Sequence, residues 1–377
     1  MSVEIRRVQS RKERKQFIRF AWKVYRNDPE LNRHWVPPVI ADYMKTLDKE
    51  AYPLYDHADL AMFTAWKGGR MAGTIAAIEN RRHNEIHRDK VGFWGFFECI
   101  DDQEVANALF DAAAQWLRAK GLDAMRGPVS PSMNDQCGML VKGFDSPPVF
   151  LMLYNPPYYN NLALNAGHHV GQELLAWYIN QDMIDIERLR KISGYMQKRE
   201  GLSIRTIDMK DFDSEVEKIR DIYNKAWEKN WGFVPMTDRE FDYMAKSMKP
   251  VAREHFIYFV EDRDGRPVGF SLSLPDMNVA LKHVNGNPFT PWGLAKFWWY
   301  GRNIRAYRTI VMGVLPEYRS KGVDSMLNAH IADYGGRHGL YSSEMSWVLK
   351  SNEAMSKLAK VIGGIPYKEY VIYEKDI

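Results

Sequence analysis

One order of elements occurs twice along this chain, and that repeat restricts the fold more than any other feature. In the first pass the hydrophobic period predicts a strand over 3–8 and a helix over 14–25. Beyond Val36-Pro37-Pro38 come strands over 60–66 and 71–78. Lys67-Gly68-Gly69-Arg70 between them reads as a hairpin turn, because Gly-Gly supplies the positive φ that a tight turn needs. A strand over 91–99 is mostly apolar on both faces, and Asp101 and Asp102 then stand where a helix cap belongs. The helix after them aligns Val105, Leu109, Ala113 and Leu117, with Gly121 as a stop; a helix over 158–166 and a strand over 173–179 close the pass. The second pass runs through a strand at 202–207, a helix at 212–227 and strands at 256–260 and 267–274. A strand at 309–314 leads to a helical stripe of Val323, Met326, Leu327, Ile331 and Tyr334. A strand at 345–349, a helix at 353–362 and a strand at 367–373 end it.

Both passes read β-α-(α)-β-β-β-α-β-α-β. The expected fold is α+β, layered α/β/α, with two tandem modules that each carry a mixed, mostly antiparallel twisted sheet flanked by helices. The expected boundaries are 1–181 and 202–377, with the charged segment 182–201 as connector. A length of 377 residues suits two modules. No run of apolar residues reaches the length of a membrane span, and the N-terminus lacks the apolar core of a signal peptide. Two cysteines, Cys99 and Cys137, without metal-like spacing fit a reducing, cytoplasmic setting and no metal site. A net charge of +4 is too mild to argue for a nucleic-acid partner.

The sharpest chemical signal is Val314-Leu315-Pro316-Glu317-Tyr318-Arg319-Ser320-Lys321-Gly322-Val323-Asp324, between a strand and an amphipathic helix. Such a junction exposes unpaired N–H groups at the positive end of the helix dipole, a ready site for phosphate. Gly322 lets the backbone approach an anion, and Arg319 and Lys321 add charge.

This segment resembles the GNAT superfamily, whose motif Arg/Gln-x-x-Gly-x-Gly/Ala falls on Arg319, Gly322 and Asp324. Asn352 at the next helix start, Gly363-Gly364 and the closing Tyr367-Lys368-Glu369-Tyr370 are similar to a second signature of that family. The resemblance covers 202–377 by element order, and 1–181 more weakly. It implies an acyl-CoA co-substrate with its pyrophosphate on the N–H groups of Ser320, Lys321, Gly322, Val323 and Asp324. The pantetheine arm would lie along the strand edge at Met312 and Val314, with Asn352 on its other side. The implied activity is N-acyl transfer to an amine acceptor. The chain departs from the family in three places: Asp324 replaces a small residue, Ala359 stands where a general-acid tyrosine is frequent, and 309–314 carries no carboxylate. Glu344 and Asp276 are the available general bases, each also readable as a surface or turn carboxylate. Two rivals are an aminoacyl-tRNA-dependent transferase of the Fem type and a non-catalytic CoA-binding sensor or scaffold.

The matching junction of the first half, Glu98-Cys99-Ile100-Asp101-Asp102-Gln103-Glu104, has neither glycine nor base, so this half is expected to shape the acceptor side without binding CoA. Asn134 and Asp135 in one polar loop, and Asn230, Trp231 and Asn278 in others, are candidate acceptor contacts, with structural turns as the alternative for the first two. His83-Asn84-Glu85-Ile86-His87 has its Glu one position late for a helical zinc motif and reads as a polar loop, where His83 or Glu85 could touch substrate. The aromatic insertion 288–300, with Trp292, Phe297, Trp298 and Trp299, allows three roles: lining a long-acyl tunnel, touching a membrane surface, or packing between modules.

Overall fold

The computed structural model describes residues 2–228 and 230–377. Its first part holds β1 (Val3–Arg7), α1 (Arg11–Arg26), α2 (Pro29–His34), α3 (Ile40–Thr46), β2 (Ala58–Lys67), β3 (Arg70–Asn80), α4 (Arg81–His87), β4 (Val91–Cys99), α5 (Gln103–Arg118), β5 (Ala124–Gly127), β6 (Met139–Lys142), α6 (Tyr158–Asn165) and β7 (His169–Asn180). The second part holds α7 (Ile186–Glu200), β8 (Ser203–Thr206), α8 (Phe212–Trp227), α9 (Asp238–Met248), β9 (Ile257–Glu261), β10 (Pro267–Pro275), α10 (Asn278–Leu281), α11 (Pro291–Gly301), β11 (Ala306–Val314), α12 (Val323–Arg337), β12 (Ser342–Leu349), α13 (Glu353–Val361) and β13 (Ile365–Asp376). The repeated element order is present, with α3, α4 and β6 as additions in the first pass and α10 and α11 in the second.

The chain condenses into two compact units that are not continuous halves: residues 2–174, 278–302 and 368–377 form one, and 175–277 and 303–367 the other. This division differs from the expected 1–181 and 202–377 for identifiable reasons. The segment carrying α10 and α11 is bonded into the first unit: Asn285 Oδ1 accepts from Trp22 Nε1 and Arg26 Nη2, both at 2.6 Å, and Ile40 N–H donates to Gly286 O at 3.0 Å. The expected connector is α7, a helix capped by Asp185 at its start and by left-handed Gly201 at its end, which packs against α12 in the second unit. β7 and β13 each change unit midway.

In the first unit the strand order is β1-β2-β3-β4-β5-β13, with β6 also on β13. Every pairing there is antiparallel except β4 with β5. Gly68 and Gly69 at φ 58° and 73° make the tight turn between β2 and β3. The inner face of α5 buries Val105, Leu109, Ala113 and Leu117. Phe110 stacks on Phe97 at 4.9 Å and meets Trp94 edge-on at 5.1 Å. Truncating such a buried ring costs ~3–5 kcal/mol.

The second unit runs β12-β11-β10-β9-β8, again antiparallel except for one pair, β11 with β12. Each unit is thus a mixed, mostly antiparallel sheet flanked by helices. The segment around His83 is a short helix capped by Asn80, not a loop. His83 is buried beside His87, with ring centroids 4.4 Å apart, and burial lowers its pKa to about 3. Among the described residues no group of His, Cys, Asp and Glu is arranged to hold a metal ion.

Candidate active site

β11 has two different edges. It pairs with β10 along its whole length, from Pro275↔Tyr307 to Gly269↔Val314, with a bulge between Leu272 and Ser273. With β12 it pairs only from Ala306↔Ser342 to Thr309↔Met345, after which the two parallel strands part. The backbone of 310–314, including Met312 and Val314, has no hydrogen-bonding partner on its β12 side among the described residues. Buried peptide groups are almost always paired, so an open strand edge invites an extended amide-bearing ligand.

At the end of this edge the chain turns into α12. Ser320 and Gly322 adopt left-handed conformations, φ 64° and 76°, and Gly322 is the N-cap with no side-chain cap bond. The N–H groups of Ser320, Gly322, Val323 and Asp324 are unbonded among the described residues. A Cβ on Gly322 would meet Met196 Cγ at 2.6 Å, so backbone conformation and the packing of α7 both favour glycine here. Asp324 turns its carboxylate onto the Ser325 N–H at 2.9 Å, capping the helix instead of facing the open amides. Arg319 Nη2 reaches the Ala226 carbonyl near the end of α8 at 2.8 Å, and Lys321 Nζ lies 4.5 Å from the Tyr318 ring centre. Both cations are held at the loop. Asn352 caps α13 through Oδ1, which accepts from Met355 N–H at 3.1 Å; its amide nitrogen has no partner among the described residues. Ala359 is fully buried.

The point where β11 and β12 part carries a buried polar cluster. Glu344 lies beside Arg308 in register, one residue before the last paired position, and both are buried. Ser346 Oγ donates to one oxygen of Glu344 and Tyr367 Oη to the other. Arg308 donates to the Ser346 hydroxyl and carbonyl, both at 2.9 Å. An opposite charge and two hydroxyls offset the cost of burying the carboxylate. Asp276, the other candidate base, follows β10, and its N–H bonds Ala306 O at the opposite end of β11. At ~3.3 Å per residue that is about 10 Å from the parting point. Tyr367 stands in the closing Tyr367-Lys368-Glu369-Tyr370 motif, and its link to Glu344 needs β13 to lie near β12, which no local pattern reveals.

The remaining candidates divide. Asn230 and Trp231 lie in a turn after α8, where Phe233 N–H donates to Asn230 O at 3.1 Å. Asn134, Asp135 and Asn278 belong to the first unit. Asp135 accepts from Ser132 and from Tyr52, and Asn278 Nδ2 donates to Pro148 O at 2.9 Å.

In the first unit the equivalent features are closed from within. β4, nine residues like β11, pairs with β5 only from Val91↔Ala124 to Phe93↔Arg126. Beyond that, Val129 N–H donates to Trp94 O at 2.8 Å and Phe96 N–H to Ser130 Oγ at 2.9 Å. Cys99, at the position of Val314, gives its N–H to Tyr159 Oη and takes a bond from Tyr158 Oη, both 2.8 Å. Asp102 caps α5 by accepting from Glu104 and Val105 N–H at 3.0 and 3.3 Å. Lys67, on β2, holds Asp102 and Glu104 at 2.6 and 2.8 Å, so a base absent from the local sequence is present in space.

The model of the Acetyltransferase (GNAT) family matches residues 216–363. Protein YghO of Escherichia coli (strain K12) is 34% identical over 370 residues, covering 96% of this chain and 93% of that protein. A protein named bacterial ceramide synthase, from Caulobacter vibrioides (strain NA1000 / CB15N), is 33% identical over 372 residues, covering 96% and 94%. A tandem GNAT protein from the clavulanic acid biosynthesis pathway, solved without AcCoA, shares the fold at TM-score 0.59 and 12% identity, covering 100% of this chain and 98% of that one.

Proposed function

The chain belongs to the Acetyltransferase (GNAT) family, and we propose that it is an acyl-CoA-dependent N-acyltransferase whose second unit alone binds the acyl-CoA. The observation that carries this reading is the conjunction of an open edge at 310–314 with an uncapped helix start at Gly322. The free N–H groups of Ser320, Gly322, Val323 and Asp324 would hold the pyrophosphate, with Arg319 and Lys321 adding charge. The edge at Met312 and Val314 would hold the pantetheine amides, and the Asn352 amide nitrogen would donate to the arm. The bound thioester supplies the electrophilic carbon.

A backbone N–H near Val314 polarises the thioester carbonyl. The acceptor amine forms the new N–C bond as the C–S bond breaks, and the amine loses one proton. Tyr367 takes that proton while passing its own to Glu344, and the departing thiolate is protonated by solvent. Glu344 is preferred to Asp276 because it sits where the strands part. The relative named a ceramide synthase points to an acceptor of the long-chain amino-alcohol class and a fatty acyl donor.

The test is thiol release from acetyl-, octanoyl- and palmitoyl-CoA with a long-chain base as acceptor. Glu344→Gln is expected to lower kcat by about 10²–10⁴-fold, and the Glu344→Gln/Tyr367→Phe pair to lose little more than either alone. CoA affinity by calorimetry should stay within about threefold. Full turnover by both single variants would remove the relay. CoA binding without turnover of any thioester would favour the sensor reading, which Ala359 and the absence of a carboxylate from 309–314 support.

A further inference from the structure

α11 presents its aromatic residues outward. Trp292 is 82% exposed, Trp298 64% and Trp299 60%, with Leu294 and, just before the helix, Phe289 also exposed. Scattered exposed apolar residues are normal, but three exposed tryptophans within an 11-residue helix are not. The inner side of the segment is satisfied. Tyr300 stacks on His283 at 3.6 Å, Gly293 is too close to Asn287 O for a Cβ, and Thr290 caps the helix. Nothing among the described residues of the first unit covers the outer face. Neither a buried acyl tunnel nor packing within that unit accounts for it.

Charge identifies what the face fits. No Asp or Glu occurs between Asp276 and Glu317, whereas Lys296 and Arg302 lie exposed on or beside α11. The Arg302 guanidinium sits 3.6 Å over the Trp298 ring and 5.3 Å from that of Trp299, so cation and indole are presented together. Indoles prefer the headgroup–acyl boundary of a bilayer, where the ring is apolar and the N–H wet, and lysine and arginine bind its anionic lipids. At 1.5 Å per residue this helix is roughly 16 Å long, too short to cross a core of about 30 Å but suited to lying in its surface.

We propose that α11 is an interfacial helix that docks this protein on an anionic lipid bilayer, with Trp292, Trp298 and Trp299 inserted and Lys296 and Arg302 on the headgroups. The proposal goes beyond acyl transfer and stands without it, since docking needs neither donor nor acceptor.

Flotation with phosphatidylcholine vesicles, with and without one-third phosphatidylglycerol, tests it on the full chain without substrate. The wild type is expected to float with the anionic vesicles, with a blue shift of tryptophan emission and weakening in high salt. Trp292→Ser/Trp298→Ser/Trp299→Ser should lower the bound fraction at least tenfold while circular dichroism and CoA binding stay unchanged. Lys296→Glu/Arg302→Glu should weaken binding to the anionic vesicles alone. Failure of the wild type to float, or undiminished flotation of the tryptophan variant, overturns the proposal. So does a wild-type dimer that becomes monomeric in the tryptophan variant without any vesicle binding, since the face would then meet a second copy.

Discussion

The two helix starts that follow β4 and β11 are built on the same plan and end in opposite chemical states. At α5 the first N–H groups are taken by Asp102, and the strand before it is sealed by Val129, Ser130, Tyr158 and Tyr159. At α12 the N-cap is a left-handed glycine without a side-chain bond, and the strand edge is open. A helix N-terminus attracts an anion only when no side chain has already supplied one. The proposed anion site and the structural cap therefore differ by a few residues on the same scaffold. In the first unit the helix start and strand edge are occupied by the chain's own groups, and Lys67 pairs with both Asp102 and Glu104.

The comparison can be broken most sharply at Gly322. Gly322→Glu places a side chain in a left-handed backbone, drives it toward Met196 and adds a negative charge at the proposed anion site. CoA affinity by calorimetry should fall at least about 100-fold, near 2.7 kcal/mol, with a cooperative thermal transition retained.

A second, smaller effect concerns the seal of the first unit. Tyr159 Oη donates to Glu98 at 2.7 Å, and burial raises the Glu98 carboxyl to about 8 despite that bond. A carboxyl with a raised folded-state pKa binds more protons folded than unfolded between its ordinary value and about 8. Its contribution is therefore complete below that ordinary value and is lost as pH rises through about 8. Stability should decline between about pH 5 and 8 by on the order of 2 kcal/mol and level off above that, since a pKa unit is ~1.4 kcal/mol and Glu98 keeps some solvation. Glu98→Gln should flatten that decline; an unaltered slope would place its origin elsewhere.

Asp102→Ala should lower stability by about 1 kcal/mol, the usual worth of a cap, and leave CoA affinity untouched. The smallest effect belongs to Asp324→Ala. Its carboxylate already faces Ser325 N–H, so CoA affinity should change by only ~0.3–1 kcal/mol, and less at high salt. A gain of 2 kcal/mol would show that Asp324 opposes the ligand directly.

Much of this contrast was legible in the sequence. Asp101-Asp102 against Arg319-Ser320-Lys321-Gly322 separates the two junctions, and hydrophobic period locates both strands and both helices. The seal was not legible, because Tyr158, Tyr159 and Ser130 reach β4 across 34 to 61 positions of chain. Lys67 arrives from β2 in the same way. The Glu344–Tyr367 bond joins residues 23 apart, so Glu344 could be named but not preferred over Asp276. The placement of α10 and α11 with the first unit depended on Asn285 meeting Trp22 and Arg26, contacts of more than 250 residues' separation. Local rules see helix caps and turns; they do not see which strand edge a distant loop fills.

Calorimetric titration of the full chain with CoA tests the asymmetry most directly. One site per chain is predicted, lost in Gly322→Glu and retained in Asp102→Ala. Two equivalent sites, or one site that survives in folded Gly322→Glu, would contradict it.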